Sequence, residues 1–230
     1  MGGKSVQNAK HRETEHSMIT VWGRKTSSNV QALMWCIGEL GLTYTRLDIG
    51  HRLGGTDTDA FAALNPNRTI PVLQDGGNKP LWETGAILRY LAEVYGDDTF
   101  WPSDPIARAD VDRWAEWAKL NVAMAFTVPV FWQVVRTPPQ NRDPKAIGRA
   151  MKKLEETLVI AEDRLRTHPF LAGADFTLAD IQFGHVLYRY FDIAIERQPL
   201  LALAEYHERL KQRPAYREHV MLSYEDLREG

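Results

Sequence analysis

Three short polar side chains, Ser27, Ser28 and Asn29, stand together near the amino terminus. The residues before them are apolar and β-rich, and the residues from Val30 onward have the composition of a helix. The first N–H groups of a helix lack partners within it and carry about half a positive charge, so they form a ready site for an anion. A hydroxyl here could donate a hydrogen bond to that anion. The alternative is that one side chain only caps the helix, and the turn by itself favours that interpretation.

Two further positions could bind a peptide. Ile70-Pro71 follows a polar turn and begins a predicted strand. A cis bond there would turn the N–H and C=O of Ile70 outward, where they could pair with a peptide ligand, although base frequencies favour an ordinary trans proline at a strand edge. Glu83 and Thr84 lie between a strand and a helix, and offer a carboxylate for an ammonium group and a hydroxyl for a carboxylate. The alternative for this pair is a simple helix N-cap.

The elements that must position these residues follow a β-α-β-α-β-β-α order over residues 18–95. Strands are predicted at 18–23 and 44–49 with a helix at 30–40 between them, which makes a βαβ unit with parallel strands. A glycine-containing turn at 75–78 predicts that the strand after it returns antiparallel to the strand before it. The spacing also predicts a short helix at 59–64 and a longer helix that begins at 83–84.

The second half of the chain has only helical patterns. Residues 96–105 contain two prolines and form a predicted linker, and Pro129 and Pro138-Pro139 are expected to interrupt the helices that follow. The fold class is therefore an α/β N-terminal domain at 18–97, a linker at 98–105 and an all-α domain at 106–230. Residues 1–17 are polar, lack the apolar region of a signal peptide and are expected to be an extension or tag. Helices are predicted at 106–126, 146–167, 177–191, 200–213 and from 214 onward, and Thr177 with Asp180 has the spacing of a capping box.

The composition excludes several classes of function. The chain is 44% apolar and 25% charged with a net charge of −2, so nothing indicates a nucleic acid or a membrane as partner. No apolar run approaches the ~20 residues that span a bilayer. Cys36 is the only cysteine, which rules out an internal disulfide and suits a reducing compartment. It falls in mid-helix, where a buried core residue is expected rather than a catalytic thiol, and the spacing of the histidines predicts no metal site.

Eight segments of the chain form a recognisable set of motifs. They are residues 19–24 (ITVWGR), 27–31 (SSNVQ), 39–42 (ELGL), 64–67 (LNPN), 70–73 (IPVL), 81–91 (LWETGAILRYL), 136–139 (RTPP) and 176–180 (FTLAD). Together they resemble the bacterial cytosolic glutathione transferases of the theta/beta-like type, and the resemblance covers nearly all of the chain after residue 17. Arg24, Arg136 and the pair Trp114 and Trp117 are typical of one bacterial branch of that family.

The resemblance implies a thioredoxin-like N-terminal domain that binds glutathione as co-substrate, an all-helical C-terminal domain, no metal, a cytoplasmic location and a homodimer. It also implies roles for single residues. Ser27 activates the thiol, with Asn29 near the same sulfur and Ser28 as the less favoured alternative. Ile70, before a cis Pro71, pairs with the cysteinyl part of glutathione, Glu83 and Thr84 bind its γ-glutamyl end, and His51 or Arg52 meets its glycyl carboxylate. Thr84 stands where serine is commoner, and residues 67–69 (NRT) replace the commoner Asn-Gly turn.

The second substrate is expected to lie under the first helix of the C-terminal domain. Arg113, Trp117 and Asn121 share one stripe at helical spacing and are the candidates for that pocket, with Phe126 and Trp132 as additional apolar residues. Burial of the tryptophans in the core is an equal alternative.

The predicted reaction is attack of the glutathione thiolate on a small hydrophobic electrophile. One alternative is a non-catalytic binding or scaffold protein with the same fold. The other keeps the enzyme but changes its chemistry to dehalogenation, peroxide reduction or isomerisation, and the sequence does not choose among these.

Overall fold

A computed structural model describes residues 18–228, which begin with a four-stranded sheet in the order β2-β1-β3-β4. The strands are short: β1 is Ile19–Trp22, β2 is Tyr44–Leu47, β3 is Val72–Asp75 and β4 is Leu81–Trp82. β1 pairs parallel with β2 and antiparallel with β3, and β3 pairs antiparallel with β4. The predicted βαβ unit and the predicted antiparallel return are therefore both confirmed, although β4 has only two residues.

Three helices accompany this sheet: α1 is Ser28–Glu39, α2 is Asp59–Leu64 and α3 is Thr84–Tyr95. α1 is buried on nearly every side, because it packs against the sheet and α3 and also against helices of the second half of the chain. Cys36 lies at its centre with no exposed surface, and burial raises the pKa of its thiol well above the usual range. This placement agrees with the prediction of a core cysteine.

The helices of the second half begin at α4. Asp104 accepts hydrogen bonds from the N–H groups of Ile106 and Ala107, and Asp143 caps α6 in the same way. The helices are α4 (Pro105–Trp117), α5 (Met124–Phe126), α6 (Pro144–Leu165), α7 (Leu178–Gly184), α8 (Leu187–Asp192), α9 (Leu201–Lys211) and α10 (Pro214–His219).

α4 and α5 belong to one continuous helix, Pro105–Arg136, which contains wide π-type turns at Ala118–Ala123 and Thr127–Arg136. The predicted interruption at Pro129 is wrong, because the proline lies inside the second wide turn and the helix continues through it. The predicted interruption at Pro138-Pro139 is confirmed, since the helix ends at Arg136. π-type turns are rare and often mark functional sites.

The same helix is the one stretch among residues 18–228 that has the length and apolar composition of a membrane span, contrary to the sequence expectation. Of its most apolar window, 39% is buried. Its segments pack against α6 and α7. A core helix of the helical domain therefore accounts for its composition.

The predicted capping box is confirmed, and its Asp180 accepts more hydrogen bonds than the box requires. The Thr177 hydroxyl accepts from the N–H of Ala179, and the Asp180 carboxylate accepts from the N–H of Thr177 at 2.8 Å. Asp180 is fully buried and also accepts from the N–H of Leu171 at 2.9 Å and from the hydroxyl of Tyr206 at 2.7 Å. The predicted single helix at 177–191 is wrong, since the chain turns between α7 and α8.

The two halves of the chain meet along α1. The ring of Trp35 packs edge-on against Tyr216 of α10, with the ring centroids 4.7 Å apart. Glu39, at the end of α1, accepts two hydrogen bonds from Arg213 at 2.8 and 2.6 Å. These contacts fix the carboxyl half of α1 relative to the helical half of the chain.

Candidate functional site

Ser27 occupies the N-cap position of α1, but its side chain makes no capping hydrogen bond. Its backbone N–H donates to the carbonyl of Arg24 at 3.1 Å, and its carbonyl accepts from Gln31 at 2.8 Å. The first turn of α1 contains no acidic residue. The interpretation of these residues as a simple side-chain cap is therefore wrong, and the hydroxyl stands beside a helix N-terminus that still favours negative charge.

Asn29 is held by a residue that the sequence did not reveal. Nζ of Lys119, in the first π-type turn, donates to Oδ1 of Asn29 at 2.7 Å. Burial lowers the pKa of Lys119, while the carboxylates of Glu83 and Glu116 oppose that shift. Lys119 therefore carries a partly desolvated positive charge to the amino end of α1 and near Glu83. Ninety positions separate Lys119 from Asn29, so no local spacing signalled this contact.

The Ile70-Pro71 bond is cis, so the base-frequency expectation of a trans bond is wrong. Ile70 precedes the ladder of β3, which begins at Val72. Buried Asn65 holds the approach to this bond: its side-chain amide donates to the carbonyl of Thr69 at 2.8 Å, and its oxygen accepts from the N–H of Asn67 at 2.9 Å. The backbone around Ile70 is therefore held in place just before β3, an inner strand of the sheet.

Glu83 and Thr84 lie at the start of α3. Glu83 has a φ of 69°, which is uncommon for a residue with a side chain, and it makes no side-chain capping bond. Such backbone conformations persist only where the surrounding structure imposes them, and they concentrate at binding sites. Thr84 is buried and Glu83 is exposed, so the pair presents a carboxylate to solvent beside a sheltered hydroxyl. The alternative that this pair only caps α3 is not supported, because the side chain of the N-cap residue Glu83 makes no capping hydrogen bond.

His51 and Arg52 lie in a short 3-10 turn, His51–Leu53, after β2. Arg136 donates to Nε2 of His51 at 2.7 Å, and Arg52 donates to the carbonyl of Arg228 at 3.2 Å. Both residues line a cavity of about 390 Å³ between this turn, the β1–α1 connection and the carboxyl-terminal residues. Arg68, which lies in the loop between α2 and β3, donates to the carbonyl of Thr58 at 3.0 Å.

The three residues expected to line the second pocket do not converge. Trp117 packs against Trp114 and against Phe183 of α7, with centroid distances of 5.4 and 5.8 Å. Arg113 is exposed and forms an ion pair with Asp110 at 2.8 Å, and Asn121 is exposed and bonds to a backbone carbonyl of its own helix. The arrangement of Trp117 favours the core alternative, and the role of the set stays a prediction.

A different set of apolar side chains is exposed along the long helix. We call Leu120, Met124, Val128 and Trp132 the cleft stripe; they recur every four residues through the wide turns and are exposed by 57, 61, 48 and 39%. Lys119, next to its first member, reaches Asn29, and Arg136, one step beyond its last member, reaches His51. The residues that flank the stripe, Lys119 and Arg136, thus contact the sheet-containing half. Sequence analysis named only Trp132 of this set, because it followed the neighbouring stripe of Arg113, Trp117 and Asn121 on the same helix.

No group of three or more histidine, cysteine, aspartate or glutamate side chains among residues 18–228 is placed to hold a metal ion.

Comparison with known proteins agrees with this geometry. The pattern of the glutathione S-transferase N-terminal domain matches residues 17–93, and that of the C-terminal domain matches residues 144–220. The chain is 33% identical over 206 residues to glutathione S-transferase GstB of Escherichia coli K12, covering 89% of this chain and 99% of that protein.

Two solved structures are also similar. A theta-class glutathione S-transferase of Xanthomonas axonopodis pv. citri with glutathione bound has a TM-score of 0.85 and 42% identity, covering 90% of this chain and 99% of the other. A glutathione S-transferase of Pseudomonas fluorescens Pf-5 has a TM-score of 0.78 and 28% identity, covering 90% and 100%.

The chain belongs to the glutathione S-transferase family. The family and the two-part fold that the sequence motifs predicted are both confirmed.

Proposed function

We propose that this enzyme joins the thiolate of glutathione to small electrophiles, with the sulfur at the amino end of α1 and the electrophile on the cleft stripe. The observation that carries the proposal is the Ser27 hydroxyl, which stands at a helix N-terminus without a capping bond. A hydroxyl so placed can donate to a thiolate while the helix terminus adds to its stabilisation. The glutathione that is named in the bound relative is the matching co-substrate.

The rest of glutathione has supports at suitable places. The backbone of Ile70, turned by the cis bond, is proposed to pair with the cysteinyl residue. Glu83 and Thr84 are proposed to hold the ammonium and carboxylate of the γ-glutamyl end. His51 or Arg52 is proposed to face the glycyl carboxylate from the turn after β2.

Lys119 gives Asn29 a defined orientation. Because the ammonium of Lys119 is only a donor, its partner on Asn29 must be the side-chain oxygen. The amide nitrogen of Asn29 is then the end available to donate toward a sulfur at the helix terminus. We therefore assign Asn29 as a second donor to the thiolate and Lys119 as the residue that positions it.

The gain from activation is bounded by simple numbers. A thiol of pKa ~8.5 is about 3% ionised at pH 7, and a drop of two units raises that to about three quarters. Such a drop needs about 2.7 kcal/mol, within reach of one charge-assisted hydrogen bond plus a helix terminus. Nucleophilicity falls roughly 8-fold over the same change if a Brønsted slope of about 0.45 applies, so the net gain is about threefold. Most of the rate advantage must come from holding the electrophile beside the sulfur.

Replacement of Ser27 by alanine tests the site. Ser27→Ala should lower kcat by about threefold to tenfold with little change in glutathione KM, and should raise the pKa seen in the ultraviolet absorbance of bound thiolate. Ser103→Ala, at an exposed position before α4, is the control and should change neither. Equal kcat and an equal thiolate pKa in wild type and Ser27→Ala would remove Ser27 from the mechanism.

A glutathione-affinity column distinguishes between the enzyme and a scaffold protein that does not bind glutathione. If the proposal is right, the wild-type chain should be retained and then eluted by free glutathione.

We also propose that the chain is a cytoplasmic homodimer, as its lone buried cysteine and its family suggest. Analytical ultracentrifugation should give twice the 26.2 kDa chain mass.

A further inference from the structure

Three arginines from separate elements meet at the end of the cleft stripe, and we call them the arginine cluster. Arg24 follows β1, Arg136 ends the long helix, and Arg189 lies in α8. Arg189 is only 3% exposed and donates to the carbonyl of Thr26 at 2.8 Å, one residue before Ser27. The cluster therefore lies beside the position proposed for the sulfur.

The cluster is short of hydrogen-bond acceptors. Nε of each of the three side chains is buried and has no hydrogen-bond partner among residues 18–228. Within the same part of the chain, no ion pair joins any of the three to a carboxylate. Buried polar groups in native proteins nearly always have partners, and buried charges are usually paired. Three such groups in one place call for an anion.

The charges also act on one another. Burial and then the charge of Arg136 lower the pKa of Arg24, and burial and then the charge of Arg24 lower the pKa of Arg189 to about 10. Aromatic rings offset part of this repulsion: the guanidinium of Arg136 lies 4.4 Å from the Trp132 ring centroid, and that of Arg189 lies 4.7 Å from the Phe131 centroid. Aromatic rings supply no hydrogen-bond acceptors in the guanidinium plane, so the Nε groups of the three arginines still lack acceptors that an anion would supply.

The 390 Å³ cavity beside the cluster can admit such an anion. Its walls include Arg24, Lys25 and Arg52, against the carboxylates of Asp48 and Asp226. Asp48 is already engaged, because it accepts from Arg46 at 3.3 Å and from the backbone N–H of Lys25 at 3.2 Å. The lining is therefore positive on balance on the side that faces Arg24.

We infer that the arginine cluster binds a carboxylate carried by the electrophilic substrate, whose apolar body lies along the cleft stripe. Arg136 continues the spacing of that stripe, so an aromatic or aliphatic electrophile lying on Trp132 would bring a terminal carboxylate to the guanidinium groups. Arginine forks fit carboxylates in a two-pronged manner, which gives orientation as well as affinity. This inference rests on the proposed transferase function and adds a substrate class to it.

The glycyl carboxylate of glutathione is the other possible source of the same chemical group. His51 and Arg52 lie close to the cluster, so a test must separate the two carboxylates. A matched pair of aryl chlorides does so: 4-chloro-3,5-dinitrobenzoate and its uncharged carboxamide. In both reactions the glutathione sulfur bonds to the ring carbon, chloride leaves with the bonding electron pair, and the thiol proton passes to solvent.

Wild-type enzyme should use the benzoate with a kcat/KM at least tenfold above the carboxamide, after correction for the uncatalysed rates. Arg136→Gln and Arg24→Gln should each lower kcat/KM for the benzoate by 10-fold to 100-fold and for the carboxamide by less than threefold, with glutathione KM unchanged. Arg149→Gln removes the same charge from an exposed position on α6 and should change none of these values.

Other outcomes overturn the inference. Equal losses on both aryl chlorides would make the cluster structural, and a rise in glutathione KM without discrimination between the two would assign it to the glycyl carboxylate. If neither aryl chloride is turned over, both the inference and the proposed transferase function are contradicted. If both are turned over at equal rates, the transferase function stands and only the inference of a carboxylate-bearing substrate is contradicted.

A measurement on the wild-type enzyme covers the case in which the variants do not fold. The unreactive 3,5-dinitrobenzoate should compete with the electrophile and have a Ki at least tenfold below that of 3,5-dinitrobenzamide. Equal Ki values would contradict the inference.

Discussion

The side chains at the amino end of α1 divide their tasks by chemistry. Ser27 and Asn29 can donate hydrogen bonds to a sulfur, while Lys119 supplies a positive charge and orients the amide of Asn29. A lysine with a lowered pKa beside an anion site is a common arrangement at functional sites. Its removal should therefore change the ionisation of bound glutathione.

Lys119 variants separate charge from hydrogen bonding. Lys119→Met removes both and should raise the pKa in the pH profile of kcat/KM by about one unit, with a loss of about tenfold in kcat/KM at pH 7. Lys119→Gln keeps a donor for Asn29 and should recover part of the loss. Lys145→Met, exposed on α6, is the control and should behave like wild type. An unmoved pH profile in Lys119→Met would show that this lysine only supports the fold.

At this scale the candidate residues that the sequence named lie at ends of elements, and their roles in binding stay predictions. Ser27, Ile70, Glu83 and Thr84 follow strands or precede helices, so their types and spacing carried the signal. Sequence analysis noted Arg24 and Arg136 as typical of a bacterial branch, but it did not predict that they meet Arg189 or that Lys119 reaches Asn29. Those contacts join residues far apart along the chain; Arg189 and Thr26, for example, are 163 positions apart. Such contacts depend on how the two halves dock.

At the scale of elements, the N-terminus of α7 is held by several hydrogen bonds that the buried carboxylate of Asp180 accepts. Asp180 accepts from the backbone of Leu171 and Thr177 and from two hydroxyls, those of Thr177 and Tyr206. Sequence spacing predicted only the part that involves Thr177. The contacts to Leu171 and Tyr206 appear only in the folded chain, so the sequence understated what this residue contributes.

Asp180→Asn should lower the free energy of unfolding by about 3 kcal/mol, since an amide nitrogen would face donors that now meet a charged acceptor. Urea unfolding followed by far-ultraviolet circular dichroism measures the loss. Asp163→Asn breaks an exposed ion pair with Arg166 on α6 and should cost less than about 1 kcal/mol. Equal losses for the two variants would contradict the assignment.

The long helix shows where sequence periodicity misleads. Its apolar residues were assigned with a period of 3.6, which placed Trp117 and Asn121 on the cleft. In the structure Trp117 packs against Trp114 and Phe183, and the exposed apolar side chains of this helix include the stripe from Leu120 to Trp132. Nothing local in the sequence announces a wide turn, and Pro129 was read as a break for the same reason.

The whole molecule should be sensitive to mild acid. His185 and His207 are 1% and 6% exposed, and burial lowers their pKa values from 6.5 to about 3 and about 4. The unfolded chain therefore binds protons at these residues below pH 6.5 while the folded chain does not, so stability falls as the pH falls.

Between pH 7.5 and pH 5, each of the two histidines should remove about 2 kcal/mol from the free energy of unfolding. Urea titrations at a series of pH values give the slope. His185→Gln with His207→Gln should flatten it over the range from pH 6.5 to pH 5. A wild-type slope of zero in that range would show that these rings are not kept neutral by the fold.

The site as a whole is formed by docking of the two halves, since Asn29 meets Lys119, His51 meets Arg136 and Arg189 meets Thr26 across the boundary. The fold class could be predicted because each half has its own periodicity. The shape of the cleft could not, because it depends on side chains that neither half specifies alone.

Cys36 has a consequence for a catalyst that handles alkylating agents. Because its sulfur is buried in the middle of α1 and its ionisation is suppressed, the only thiol of the chain is not accessible to an electrophilic substrate while the protein stays folded, so the enzyme is protected from inactivation through this thiol. The same sulfur can report the rate of global unfolding. A thiol-specific dye in excess should label Cys36 only when a molecule unfolds, so the labelling rate should equal the unfolding rate, with one label per chain.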